Sequence, residues 1–451
     1  GPDDVSGPPA KRSPRPASTG YGATMDYQEP QYDPAGTLRG LLQRGRGNGA
    51  RQAIASGAAE EVLACVGADW RWDWQAEDRL GYLARLVRDL DIDITPIVTQ
   101  MHDSPDPDDW TDHSHRFQLA VGTLELLAVD GDREARDALI DYVENGAYWI
   151  DALESLALSW PSEDWRGLYR VAVERLEPAA MDFLSPDFEP WKTWVAEHPE
   201  IAAALPERKS EHRRRRSRPK PGPVDELLAL LRDPDEPRVA KTKALHRLSA
   251  GPVPIEFLDL AETLTHRLLP DRTEHPIPGV SKAVEALGSS ALGHARRWAG
   301  EPDSPMVWLG RRTLSEHGDR GDLAVLSGSV GRLLADGEWC GIDTLVDGMI
   351  RIGLAEDPAS NVATRTLHQL EWLWRSTPHS HERAAYLRGL IALGQANEQL
   401  VEGLWDCQDN VRELAAANAP LSPAVTARLA ELRDDSLETD EVRAAATTRT
   451  T

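Results

Sequence analysis

The stretch Asp409–Ala417 reads DNVRELAAA, and its phrase returns at Glu441–Ala446 as EVRAAA. Each copy places a charged residue and Val-Arg ahead of a run of alanines, and alanine has the highest helix propensity. A phrase that recurs after about 30 residues is typical of stacked helical repeats. The sequence therefore predicts stacked helical repeats here, but it indicates almost nothing about a reaction.

The same helical rhythm extends outward from this stretch through most of the chain. Leucines at 38, 41 and 42 fall at helical spacing, and the segments 80–90, 116–158 and 362–374 have the amphipathic pattern of helices. Ile92–Ile97 alternates like a strand, but Pro96 interrupts it and it is predicted to be a loop. Because short helix pairs cannot bury their apolar faces alone, we expect an all-α chain, an α-solenoid of stacked antiparallel helix pairs in two arrays.

Composition breaks divide the chain at two places. The first 36 residues are rich in Pro, Gly and Ser and poor in apolar residues, and residues 206–222 contain an arginine run followed by prolines. The resulting expectation is a set of five segments: a disordered tail (1–36), a first helical array (37–205), a basic Pro-rich linker (206–222), a second helical array (223–446) and a short tail (447–451).

The C-terminal segment 409–446 resembles the HEAT-like repeat and its relative, the leucine-rich repeat variant. In those families an Asp precedes a turn, a Val packs inward and an Arg crosses to the neighbouring repeat. The matching positions are Asp409, Val411 and Arg412 in one copy, Asp440, Val442 and Arg443 in the next, and, more loosely, Asp235, Arg238 and Val239. The resemblance implies a stacked-helix architecture and no particular reaction.

The overall composition narrows the classes of partner. The net charge is −24, from 74 acidic and 50 basic residues, so the chain repels bulk nucleic acid and anionic membranes and favours basic or neutral partners. Its 3 cysteines lack the spacing of a zinc or redox motif, and no apolar run reaches the roughly 18 residues of a membrane span. We expect a cytoplasmic, bacterial protein without a cofactor or metal.

Two tryptophan-containing segments are candidate binding sites. Trp70, Trp72 and Trp74 would form a stacking platform, or else two core anchors and one surface residue, which is the favoured interpretation because large aromatics usually supply packing. The second segment is a helical stripe that would line a concave binding surface or simply face solvent; its members are His368, Glu371, Trp372 and Arg375.

Histidine pairs and an arginine run complete the candidates. His113 with His115, and His379 with His381, have a spacing that binds zinc when a third ligand arrives, yet both pairs fall in predicted loops and are expected to be solvated. The basic run, Arg213, Arg214, Arg215 and Arg216, could contact nucleic acid, but self-docking or a plain linker is favoured because the chain is acidic.

No nucleophile, Walker or Rossmann motif is present in the sequence. The favoured function is a non-catalytic scaffold that binds a protein or peptide partner on its concave surfaces. One alternative is a DNA glycosylase for alkylated bases, because some HEAT-like proteins use tryptophans and an acidic residue in that way, and Asp73 lies among the tryptophans here. A regulatory or defence-system accessory protein is the other alternative.

Overall fold

The computed structural model describes residues 30–105, 115–177, 184–199, 201, 220–265 and 277–450. Within these ranges the chain forms helices and no strand, which confirms the prediction of an all-α protein. None of the described helices is both long and apolar enough to cross a bilayer. The arginine run 213–216 and His113 lie outside the described residues.

The N-terminal block comprises the described residues between 30 and 201. Its helices, in chain order, are Leu38–Gln43, Gly47–Ser56, Ala59–Val66, Leu80–Asp89, Thr95–Asp103, Arg116–Val129, Arg133–Asn145, Trp149–Ser159, Ser162–Trp165, Tyr169–Arg175 and Trp191–Glu197. Their apolar faces meet in one cluster that includes Leu83, Leu124 and Leu153, all of them fully buried.

The middle stack comprises the described residues between 220 and 306. Its helices are Val224–Arg232, Arg238–Leu248, Phe257–Thr265, Val280–Glu285 and Leu292–Gly300. A short 3-10 turn at Gly288–Ala291 separates the last two of these helices. Leucines, alanines and Phe257 fill the core of this stack.

The C-terminal block comprises residues 307–450. Its helices are Val307–His317, Leu323–Asp336, Ile342–Arg351, Asn361–Ser376, Arg383–Ala392, Asn397–Gly403, Asp409–Asn418, Pro423–Asp434 and Asp440–Thr450. Leu323–Asp336 packs on Ile342–Arg351, and Asn361–Ser376 packs on Arg383–Ala392, while several helices also pack on the helix two places along. One continuous layer runs through Val307–His317, Ile342–Arg351, Arg383–Ala392, Asp409–Asn418 and Asp440–Thr450.

The repeated phrase begins two helices of this layer. Asp409 and Asp440 are the first residues of their helices, where the helix dipole favours a negative charge. Val411 and Val442 are both fully buried. Arg412 donates to Glu438 Oε2 at 3.1 Å, and Glu438 lies in the turn before the second of these helices.

One loop prediction was wrong. Ile92–Ile97 does not stay irregular, because the helix Thr95–Asp103 begins inside it with Pro96 in its first turn. Proline is tolerated there, since the first N–H groups of a helix have no partner within the helix. Pro96 therefore marks the first turn of a helix.

The N-terminal and C-terminal blocks meet at a surface that we call the junction, where residues 44–88 contact residues 375–438. The backbone N–H of Cys407 donates to the Gly45 carbonyl at 3.0 Å. Gly45 has a φ of +63°, and a Cβ there would lie 1.7 Å from Arg79 Nη1 and 2.4 Å from Cys407 Sγ. Only glycine fits so close an approach at this backbone angle.

Buried ion pairs hold the junction. Arg46 Nε donates to Glu402 Oε1 at 2.7 Å, across 356 residues of sequence. Arg85 Nε donates to Asp435 Oδ2 at 2.9 Å. Both pairs are buried, and so is the Glu77–His379 contact described below. Segments that are far apart in the sequence are thus tied together by charge as well as by apolar packing.

Candidate functional site

A cluster of titratable side chains lies at the junction where the 70–79 loop covers the turn after Asn361–Ser376. Its members are Glu77, His379 and His381, and we call it the His–Glu cluster. One ligand-type atom from each residue lies within 4.8 Å of the others. His379 Nδ1 is 2.7 Å from Glu77 Oε1 and 2.9 Å from His381 Nδ1.

This cluster corrects the expectation of solvated loop histidines. His379 is 2% exposed and His381 is half-buried, because a loop some 300 residues away in the sequence packs over them. His115, of the other pair, is half-buried with its ring 5.7 Å from that of Trp74. The spacing of His379 and His381 signalled a ligand pair, but nothing in the sequence placed Glu77 beside them.

The charges of the cluster influence one another strongly. Burial lowers the pKa of His379, but hydrogen bonds with Cys340 and Glu77 and the charges of Glu382 and Glu77 outweigh it and raise that pKa to about 10. Burial and the charge of His379 both lower the pKa of His381. The pKa of Glu77 is lowered although burial opposes this, because it bonds His379 and faces Arg79.

Glu382 forms a second layer behind His379. Its Oε1 is 3.9 Å from His379 Nε2 and accepts a hydrogen bond from the Gly341 N–H at 2.6 Å. The Tyr386 hydroxyl donates to Glu382 Oε2 at 2.7 Å. Burial and the charge of Asp343 raise the pKa of Glu382 to about 7. The turn that contains Cys340 and Gly341 thus touches the cluster directly.

The same turn carries Trp339, the half-buried member of an aromatic surface that we call the tryptophan ridge: Trp308, Trp339 and Trp372. The rings of Trp339 and Trp372 stack with centroids 5.5 Å apart and an angle of 5° between their planes. Trp372 is 42% exposed and Trp308 is 39% exposed. Gly341, at a φ of +82°, leaves room for the Trp308 ring, which a Cβ there would meet at 2.2 Å.

The predicted stripe of the helix Asn361–Ser376 borders this ridge. His368 and Arg375 are exposed and Glu371 is half-buried, on the same helix as Trp372. Its neighbour Trp374 points inward, is 1% exposed and donates to Glu402 Oε2 at 2.8 Å. On this helix, Trp372 therefore lies at the surface and Trp374 lies at the junction.

The segment with Trp70, Trp72 and Trp74 is a loop and not a helix, so its side chains share no helix face. The Trp70 carbonyl accepts from the Tyr32 hydroxyl at 2.7 Å, and Trp70 itself is half-buried. The Trp72 N–H donates to Glu77 Oε2 at 3.2 Å. Trp74 is 54% exposed. Of the three tryptophans, Trp72 contributes to the His–Glu cluster through its backbone N–H, which helps to orient Glu77.

The structure thus brings together two groups that the sequence kept apart. The 70–79 loop and the end of Asn361–Ser376 both reach the His–Glu cluster, and the 339–343 turn connects that cluster to the tryptophan ridge. No protein-family model matches the chain, and a comparison with curated proteins finds no match either, so the site is interpreted from its geometry and chemistry alone.

Proposed function

We propose that the chain is a HEAT-like α-solenoid that acts as a non-catalytic scaffold and binds a basic protein or peptide segment. The packing of several C-terminal helices on the helix two places along supports the solenoid arrangement. Partner binding on concave surfaces is part of this proposal. The tryptophan ridge supplies its aromatic anchor at the ends of the helices.

The stack of half-buried Trp339 on exposed Trp372 is the observation that carries the proposal. Tryptophan is the residue most enriched at the energetic centres of protein interfaces, because it buries a large area with few rotatable bonds. Two parallel rings present a flat face, and Trp308 extends it across Gly341. Exposed tryptophans on neighbouring elements form a surface of the kind that marks interaction sites.

The acidic residues beside the ridge favour a basic partner. The exposed residues Asp336 and Glu338 precede Trp339, and Glu371 precedes Trp372. A lysine or arginine over a tryptophan face gains about 0.5–2 kcal/mol from the ring quadrupole. An acidic chain with a net charge of −24 also attracts a basic segment over a distance of several ångströms. A basic peptide with one aliphatic or aromatic residue satisfies both features.

The test measures the binding of labelled peptides by fluorescence anisotropy. Peptides of about 15 residues that combine Arg or Lys with Leu or Phe are expected to bind the parent protein, and Trp372→Ala should weaken binding about 30-fold, as loss of a central tryptophan anchor does. Trp74→Ala is the matched control, because Trp74 is even more exposed than Trp372 but lies outside the ridge. Equal loss in both variants would contradict the proposal.

Two further probes separate the alternatives. A peptide of residues 206–222, which contains the chain's own arginine run, would identify an internal ligand if it alone bound the ridge. Alkylated duplex DNA at about 50 mM salt, where phosphate contacts are strong, tests the glycosylase alternative. Binding of that DNA with release of the base would replace the scaffold proposal.

A further inference from the structure

The donor atoms of the His–Glu cluster converge more closely than hydrogen bonding alone explains. His379 Nδ1 is within 3 Å of both Glu77 Oε1 and His381 Nδ1. An imidazole nitrogen carries either one proton or one lone pair. If the His379 proton is donated to Glu77, it is not available for His381, so one of the two short contacts lacks a full hydrogen bond in any tautomer. A cation accepts all three lone pairs at once.

We propose that Glu77, His379 and His381 bind one divalent transition-metal ion of the zinc class. Two imidazoles and one carboxylate are a common zinc ligand set, and such three-ligand sites keep one position open. A tetrahedral ion at about 2.0–2.1 Å from each atom would place the ligand atoms about 3.3 Å apart. The two contacts seen here, 2.7 and 2.9 Å, need to open by only about half an ångström.

The surroundings orient the ligands as outer partners do in metal sites. Glu77 Oε2 accepts from the Trp72 N–H at 3.2 Å and from Arg79 Nη2 at 3.4 Å. Oε1 accepts from the Ser380 N–H at 3.0 Å and also faces His379. On the far side of His379, Nε2 faces the carboxylate of Glu382 at 3.9 Å. A carboxylate behind a ligating histidine fixes the ring orientation and raises its basicity.

The charges of the site also suit a cation. The positive charge of Arg79 opposes cation binding, but Arg79 is already paired with Glu77 and contacts the sulfur of Cys407. The acids Glu382 and Asp343 lie on the other side, and Asp73 acts on His381. Cys340 is exposed and interacts with His379, which makes its sulfur one candidate for the fourth position. Half-buried His381 leaves the ion a route from solvent.

This site would join segments that are 302 residues apart, because Glu77 belongs to the N-terminal block and both histidines to the C-terminal block. The ion would act as a crosslink across the junction. Binding of this ion does not depend on the tryptophan ridge or on a partner, so the metal-site proposal and the scaffold proposal can fail separately.

The experiment titrates zinc into protein that has first been stripped with a chelator. Calorimetry should show one tight Zn²⁺ per chain, and zinc should raise the melting temperature. His381→Gln and Glu77→Gln, which keep size and polarity, should each weaken binding at least 100-fold and abolish the thermal shift, since even outer-sphere changes weaken metal sites 10–100-fold. His368→Ala, a change at an exposed histidine away from the cluster, should have no effect.

A measurement on the parent protein covers the case in which a variant fails to fold. X-ray absorption of the zinc-loaded protein should show two imidazoles and one carboxylate, and a sulfur that disappears in Cys340→Ser would identify the fourth ligand. Absence of stoichiometric binding, a shell without imidazole, or equal loss in His368→Ala would overturn the proposal.

Discussion

The middle stack and the junction bury opposite kinds of side chain. In the middle stack, Lys241 and Thr265 are the only buried polar residues among those described, and the core is otherwise apolar. The junction buries the pair Arg383–Asp406, with both side chains fully inaccessible, and the pair Arg46–Glu402. The difference teaches that periodicity finds the first kind of contact and misses the second, because an arginine partner can lie anywhere in the chain.

The largest expected effect comes from breaking the most buried pair. Arg383 donates to both oxygens of Asp406 and to the Arg44 carbonyl. Arg383→Met should lower the free energy of unfolding by about 3–5 kcal/mol, because it leaves a buried carboxylate without its partner. Urea denaturation measures this change.

The double variant Arg383→Met with Asp406→Leu sharpens that result. The double variant removes the isolated charge, so most of the lost stability should be recovered. A deficit of about 1–3 kcal/mol should remain, because backbone carbonyls are left without a donor. A single variant as stable as the parent would show that the junction is not held by charge.

The matching change in the middle stack is Leu245→Ala. Leu245 is fully buried in its apolar core, so the cavity should lower the free energy of unfolding by about 2–5 kcal/mol. Leu245→Met keeps the volume and should cost less than about 1.5 kcal/mol. Urea denaturation of both variants tests whether volume alone governs this region; comparable losses in both would argue that it does not.

A smaller effect should depend on pH. Burial raises the pKa of Asp435, but a hydrogen bond from Arg88 and the charge of Arg85 outweigh it and lower that pKa from 3.8 to about 2. Its contribution is therefore complete above pH 3.8 and disappears as the pH falls towards 2. Asp435→Asn should destabilise the protein by about 1–3 kcal/mol at neutral pH, and this difference should shrink on acidification.

The control for this pH series is an exposed pair. Arg388 and Asp347 are 42% and 46% exposed, so Asp347→Asn should change stability by less than about 1 kcal/mol. Denaturation of both variants from pH 7 to 2 checks the assignment. A constant deficit for Asp435→Asn across that range would rule out the ionised carboxylate as its cause.

The helices of the fold could be predicted because their cause is local. The segment 362–374 became Asn361–Ser376, and 80–90 became Leu80–Asp89, since apolar spacing alone determines which face packs. Trp372 was also correctly placed on one stripe with His368, Glu371 and Arg375. These predictions needed only neighbours within about four residues.

The candidate site could be predicted only in part, because its cause is not local. The spacing of His379 and His381 was compatible with a ligand pair, but solvated loop histidines were predicted, because the third member, Glu77, arrives from 302 residues away. The burial of His379 follows from that distant loop and from no property of its own segment. Nothing in the sequence separates Glu77 from the many solvated acids of a chain with a net charge of −24.

The polar character of the junction has a consequence for the way the chain is made. Arg46 and its partner Glu402 are separated by 356 residues, which a ribosome adds in about 20–70 s at roughly 5–20 residues per second. The N-terminal block, which extends to residue 201, is complete for the later part of that interval, while its docking surface has no partner. An apolar surface left open for so long would invite aggregation. Arginines whose acidic partners have not yet been synthesised are well hydrated, so the unfinished chain remains soluble until its last helices emerge.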